Sequence, residues 1–356
     1  PADIEDNINL ISIPIPWVDA NSSFDINTSE EGTYKLSFHI TDQTGNYLDY
    51  DLYILVKPAV VAKITAVDGY LSNATVIFDA NGDGINDLNR NFYTNSYGQA
   101  KIILSQKELD TFDLNGNGSL DSNEGKFVVS GGIDTSTGVK FSGKLIADAN
   151  SSVVSPLTTM ISKLMDLGST KDDALVALAL ALELDSTIDF TNYDPIEKAF
   201  QGDTRATEVM MANLRMANLI NQSEGLLLAL STDYQGYSVG TNLLEQIAIG
   251  LQNQTSGGLF ILENALVEAL PLALASIGTA GELTLEDQLG MFQLMADLDN
   301  AISASEESLE FDELMSRQKE LIEELDKLLQ TVNGADEIVT LRNYDLYISN
   351  GQGGLA

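Results

Sequence analysis

The sequence predicts a multidomain β + α chain in which two β units precede an all-α helical bundle. Three observations predict it. Apolar and polar residues alternate through the first part, two Asp/Asn/Gly-rich loops lie between such runs, and from about residue 150 the pattern turns helical, with proline-marked N-caps. The expected boundaries are 1–58, 59–149 and 150–333, with 334–356 as a tail or linker. At 356 residues the chain is long enough for two or three domains with cores of their own.

In the first unit, Tyr34-Lys-Leu36-Ser-Phe38-His-Ile40 alternates, a Thr41-Asp42-Gln-Thr-Gly45-Asn46 turn follows, and 50–56 runs back, which predicts an antiparallel pair. His39, the lone histidine, lies on the polar side and reads as an ordinary strand residue. Trp17 reads as core or rim. The second unit has strand candidates at 62–67, 74–78, 91–94, 100–104, 127–129 and 139–145. Ser105-Gln-Lys-Glu108 is a capping box, so a short helix leads into residue 113, as an EF-hand requires.

Residues 113–124 have oxygen-bearing side chains at positions 1, 3, 5, 9 and 12, and glycine, Gly118, at position 6. That is the spacing of an EF-hand-like calcium loop. A hard divalent cation takes about six to eight oxygens on a small sphere. Asp113, Asn115 and Asn117 would point inward and Ser119 would offer its backbone carbonyl. Asp121 would reach the ion directly or through water, and Glu124 would close the sphere with both carboxylate oxygens. Turn chemistry alone explains the glycines but not a glutamate at position 12.

Residues 79–90 repeat positions 1, 3, 5, 6 and 9 with Asp79, Asn81, Asp83, Gly84 and Asp87, and place Ile85 at position 7. Arg90 stands where the closing glutamate belongs. Either Asn89 or another segment completes a second calcium site, or Asp79, Asp83 and Asp87 rim a β-turn. Ca2+ in these loops would brace the β unit, since nothing nearby reads as a nucleophile or base.

Beyond residue 150, Ser155-Pro156 is an N-cap followed by proline at N1, and Asp194-Pro195-Ile-Glu197 combines the same start with a capping box. Helices are expected at 173–184, 204–230, 243–252, 259–277, 285–304 and 309–332. In the last, Phe311, Leu314, Leu321, Leu325, Leu328 and Val332 hold a and d positions. Met315, Ile322 and Leu329 widen that stripe, which suits a helix buried in its bundle better than a two-stranded coiled coil. Residues 338–341 read as a further strand.

Eighteen Lys plus Arg against 53 Asp plus Glu give a formal charge of −35. Such a surface repels nucleic-acid phosphates and anionic lipid heads and gathers cations, calcium among them; it also suits salty water. There is no cysteine, so neither disulfides nor thiolate metal sites hold the chain together. The Asn27, Asn73 and Asn253 sequons are of the kind an Asn/Ser/Thr-rich chain makes by chance. The opening at Pro1, without an initiator methionine or a signal-like segment, reads as a mature, trimmed or excerpted start. The most apolar stretch, 258–277, contains Glu263, Glu268 and Pro271, which predicts no membrane insertion. No Gly-x-Ser-x-Gly or His-Glu-x-x-His occurs, and the chain is expected not to be an enzyme.

The residues also support resemblances. Glu31-Gly32-Thr-Tyr34, His39-Ile-Thr-Asp42-Gln-Thr-Gly45-Asn46 and Val56-Lys-Pro58 resemble the closing half of bacterial immunoglobulin-like or cadherin-like repeats of large surface proteins, over about a sixth of the chain. This implies a partial Ig-like sandwich, its first strands trimmed away or supplied by another copy through strand addition. The stretch 67–84, followed by Thr94-Asn-Ser-Tyr-Gly98, resembles the prealbumin-like β-sandwich of B-type repeats in serine-aspartate surface proteins and of carboxypeptidase regulatory domains. The first group binds calcium in this loop, which implies ligands at Asp79, Asn81, Asp83 and Asp87; Arg90 departs from the acidic residue often found there. Segments 131–138, 153–159 and 193–195 occur in this order in large, repetitive, secreted bacterial proteins. Together the resemblances imply an extracellular, calcium-stabilised adhesin, matrix or filament component whose partners are calcium and other copies of itself. The alternatives are a passive spacer and a secreted polysaccharide hydrolase using paired carboxylates.

Overall fold

The alternating segments around residues 34–40 and 50–56 pair as their pattern predicts. The computed structural model describes residues 2–3, 32–41, 45, 47–56, 60–141, 143–230, 239–253 and 272. Strands β1 (Ala2–Asp3), β2 (Gly32–Thr41) and β3 (Tyr47–Val56) form a sheet of order β1-β3-β2. The antiparallel β2/β3 register runs from Gly32↔Val56 to Thr41↔Tyr47, and His39 falls opposite Asp49. Period-two alternation puts Tyr34, Leu36, Leu52 and Ile54 together; Ile54 is fully buried. Trp17 lies outside the described residues.

The second β unit comprises β4 (Val60–Ala66), β5 (Leu71–Ser72), β6 (Thr75–Asp79), β7 (Phe92–Tyr93), β8 (Gln99–Leu104), the helix α1 (Gln106–Phe112), β9 (Lys126–Ser130), β10 (Ile133–Asp134), β11 (Lys144–Asp148) and β12 (Val153–Val154). One sheet has the order β11-β9-β6-β7 and another β12-β4-β8, with β10 and β5 forming a separate pair. Val76, Phe78, Phe127, Val129 and Leu145 of the first sheet share one buried cluster with Ile64, Ile102 and Leu104 of the second. Alternation thus sends one face of each sheet inward.

The strand expected at 139–145 is displaced to β11. The cause is local. Asp134 accepts the hydroxyls of Ser136 and Thr137 (both 2.6 Å), and the backbone closes Gly138 N–H to the Asp134 carbonyl (2.8 Å) and Asp134 N–H to the Val139 carbonyl (2.9 Å). These bonds curl the intervening residues into a turn. Extended pairing resumes at Lys144, opposite Ser130.

Helices α2 (Pro156–Asp166), α3 (Lys171–Ala181), α4 (Pro195–Phe200), α5 (Ala206–Leu230) and α6 (Val239–Asn253) follow. Ser155 caps α2 in a box closed by Thr158, with Pro156 in the first turn. Asp194 caps α4 through the N–H groups of Ile196 and Glu197, but the expected capping box is not formed there. The Glu197 carboxylate instead accepts the Gln201 side-chain amide one turn on, at 2.9 Å. Leu157, Met160, Ile161 and Leu164 form the buried stripe of α2. Thr158 and Thr159 pin that helix to β11, donating to the Ile146 carbonyl (2.8 Å) and accepting its N–H (2.8 Å) respectively. One continuous buried cluster consequently runs from Ile64 in β4 to Ala248 in α6. The chain is a mixed β + α protein with several sheets and a group of helices after them. The helices expected at 259–277, 285–304 and 309–332 and the strand at 338–341 lie outside the described residues, Leu272 excepted.

Candidate metal centre

Each Asp/Asn-rich loop begins where a regular element ends. Asp79 is the last residue of β6, and Asp113 is the C-cap of α1, its N–H bonded to the Leu109 carbonyl at 2.8 Å. From those points both loops follow one hydrogen-bond skeleton. Asp113 accepts Gly116 N–H (2.7 Å) and Asn117 N–H (3.2 Å) on Oδ1 and Gly118 N–H (2.7 Å) on Oδ2. Asp79 accepts Gly82 N–H (2.7 Å) and Asp83 N–H (3.2 Å) on Oδ1 and Gly84 N–H (2.8 Å) on Oδ2.

The repetition continues along the loops. The position-3 oxygen takes the position-5 N–H, in Asn115–Asn117 at 3.0 Å and in Asn81–Asp83 at 2.9 Å. The position-5 oxygen takes the position-7 N–H, in Asn117–Ser119 at 2.9 Å and in Asp83–Ile85 at 2.8 Å. Gly118 and Gly84 sit at φ +85° and +81°, a left-handed conformation that a side chain would strain. The side chain of Ile85 points to solvent, 66% exposed, so only its backbone is available to the loop.

The loops part at positions 9 and 12. Asp121 Oδ2 accepts the side-chain amides of Asn115 (2.6 Å) and Asn117 (2.8 Å), which brings this carboxylate to the two residues expected to share an ion with it. Glu124 is 3% exposed, and both its oxygens reach back across the loop. Oε1 accepts Leu114 N–H (2.8 Å) and Asn115 N–H (3.2 Å), and Oε2 accepts Asp121 N–H (2.8 Å). A carboxylate has about four lone-pair sites, so these bonds still leave capacity for an ion. In the other loop, Asp87 accepts Ala80 N–H at 2.6 Å and closes the turn from position 9.

Position 12 of that loop has a different task. The Arg90 guanidinium donates to both Glu108 oxygens (2.6 and 2.7 Å) and to the Ile103 carbonyl (2.5 Å). Glu108 is also the N3 residue of the α1 capping box, accepting Ser105 N–H at 2.8 Å. Arg90 therefore ties the 79–90 loop to the helix that delivers the 113–124 loop. Burial pushes the Glu108 carboxyl upward, but Arg90 and the Ser105 donors outweigh it and hold the group below the usual glutamate range.

Departure from an EF-hand lies at the exit. The 113–124 loop is entered from α1 but left through β9, not a second helix. Gly125, at φ +121°, makes the turn, and a Cβ there would fall 2.5 Å from Cζ of Phe78. Gly125→Ala is accordingly expected to destabilise the chain by about 2–4 kcal/mol, through combined backbone strain and overpacking. Chemical denaturation reads this directly.

Desolvation pushes the Asp113 carboxyl upward, but the N–H groups of Gly118, Gly116 and Asn117 prevail and hold it below the ordinary aspartate range. A carboxyl depressed on folding stabilises the protein above its unfolded value, near pH 3.9, and that contribution is lost as pH falls towards the folded value. Asp113→Asn is thus expected to flatten stability against pH below about 4. Acid titration of the wild-type and variant chains by circular dichroism checks this.

The donor set of the 113–124 loop fits a hard cation. It offers carboxylates from Asp113, Asp121 and Glu124, amides from Asn115 and Asn117 and the Ser119 carbonyl, with no nitrogen or sulfur ligand needed. Among the described residues, no group of three or more His, Cys, Asp or Glu side chains is so placed that it could hold a metal ion. Calcium would have to draw on the Asn side chains and backbone oxygens as well. One feature was not legible as a site in the sequence: Glu108 as the partner of Arg90. Glu108 carried a local signal, the capping box, that accounted for it without any distant partner. Comparison with protein-family models, curated proteins and solved structures finds no match for this chain.

Proposed function

We propose that the chain is an extracellular, calcium-stabilised structural or adhesive surface protein in which Ca2+ braces the β unit. The observation that supports this best is the repeated skeleton of the 79–90 and 113–124 loops, joined through Arg90 and Glu108. In this reading Asp113, Asn115, Asn117, Ser119, Asp121 and Glu124 hold one ion. Asp79, Asn81, Asp83, Asp87 and the Ile85 carbonyl hold a second, weaker one, because Arg90 cannot close it. The two sheets that share a core are read as a prealbumin-like sandwich, and β2 with β3 as the end of an Ig-like one. Millimolar extracellular calcium fills even weak sites, and a charge of −35 favours the ion. Among the described residues no helix is long and apolar enough to cross a membrane.

A self-assembling variant draws support from β2, a ten-residue strand at the edge of its sheet among the described residues. Such an edge is a template for strand addition. Thermal unfolding and sedimentation in millimolar calcium, and again with excess chelator, test both ideas. Calcium is expected to raise the melting temperature by several degrees, about 2–4 °C for each kcal/mol of linkage at this size. Unchanged melting would remove the bracing role. Polymers that dissolve on chelation are expected from assembly, and a monomer in both conditions would leave a spacer.

A further inference from the structure

After its first turn, α3 is apolar on every side: residues 174–181 read Ala-Leu-Val-Ala-Leu-Ala-Leu-Ala. A helix of that kind belongs in a core, and one side of α3 lies there, with Ala174, Leu178 and Ala179 buried in the main cluster. The other side is open. Val176 and Leu180, one turn apart, are 44% and 69% exposed. Where that stripe ends, a hollow of about 270 Å3 lies between the end of α3 and the first half of α5. Leu182, Leu184 and Met211 line it together with Glu183, Glu208 and Arg215. Its volume falls below the roughly 300–1,000 Å3 of free small-ligand sites and suits one anchoring side chain of a segment laid along the stripe.

Charge decides which segment. Asp172 and Asp173 stand one turn before Val176, and Glu183 and Glu208 stand at the hollow; all four are exposed. The nearby bases are occupied: Arg215 is engaged in an interaction of its own, Arg205 pairs with Asp185 and Asp203, and Lys171 with Asp148. Glu183 also holds φ +57° just after the α3 C-cap, where glycine commonly stands, so a carboxylate is kept at a strained position. With 53 acidic against 18 basic side chains, a second copy would be repelled, as would an anionic lipid surface. We propose that the open face of α3 and the hollow at its end bind a cationic amphipathic helix of a partner protein. Its apolar side chains would cover Val176 and Leu180 and fill the hollow, and its Lys or Arg side chains would face Asp172, Glu183 and Glu208. Neither calcium loop contributes to this surface, so the inference goes beyond the calcium reading and does not depend on it.

Calorimetry and NMR shift mapping on the full chain test it, with a helical leucine/lysine peptide as the probe. Two peptides of equal length serve as controls, one of serine and lysine with the same charge and one of leucine and glutamate. The probe is expected to bind at least tenfold more tightly than the serine/lysine peptide, the scale of one buried leucine side chain. Its shifts are expected in α3 and the first half of α5, and the leucine/glutamate peptide is expected not to bind. Leu180→Ser, at an exposed position, leaves charge and core unchanged and is expected to weaken binding roughly tenfold. Glu183→Gly is expected to weaken binding without lowering the melting temperature, because glycine takes that φ at no steric cost. Equal affinity for the two lysine peptides, or full binding by Leu180→Ser, would overturn the proposal and leave only non-specific attraction between opposite charges.

Discussion

Glu124→Gln is expected to weaken calcium binding at the 113–124 loop by more than tenfold and to cost about 1–3 kcal/mol of stability even without metal. The carboxylate is nearly buried and accepts the N–H groups of Leu114, Asn115 and Asp121. An amide of the same shape offers one oxygen and sets an NH2 group against at least one of those donors, leaving it orphaned. The negative charge that would balance an ion at position 12 is also removed. Calorimetric calcium titration and urea unfolding of the metal-stripped chain separate the two effects. Equal stability of variant and wild type would show that the three backbone bonds contribute nothing.

Arg90→Met should be comparably damaging, at about 2–4 kcal/mol, because it takes the guanidinium away from the Ile103 carbonyl and from the half-buried Glu108 carboxylate, which then keeps only its Ser105 donors and no counter-charge. The side chains of Arg90 and Glu108 are 26% and 24% exposed, so the loss falls towards the lower end of that range. The double variant Arg90→Met/Glu108→Gln should recover part of it, since the stranded charge is gone. Because Arg90 joins one loop to the helix entering the other, the single variant should also lower calcium affinity at the 113–124 loop. A variant that loses stability with unchanged affinity there would show the bridge to be structural only.

Much of this architecture was legible because it is local. The β2/β3 ladder followed from strict alternation, the α1 capping box from Ser105 and Glu108, and the starts of α2 and α4 from Ser155-Pro156 and Asp194-Pro195. Where the structure departs from the local pattern, a nearby competitor won. Asp134 captured two hydroxyls and held back the strand expected from residue 139, and Glu197 found Gln201 ahead of it in place of its own N-cap. The shared skeleton of the loops was implied by spacing, since positions 1, 3 and 5 bond within six residues. The engagement of Arg90 with Glu108 was not. It depends on how α1 is placed against the 79–90 loop, and no periodicity encodes that.

Calorimetric titration of the metal-stripped full chain at physiological ionic strength, with Glu124→Gln in parallel, decides whether the 113–124 loop holds calcium. At least one saturable site with a dissociation constant of about 10⁻⁵–10⁻³ M is expected in the wild type and lost in the variant. Absence of saturable binding, or an isotherm identical in the variant, would contradict it and reduce the ion to a diffuse counter-charge on an acidic surface.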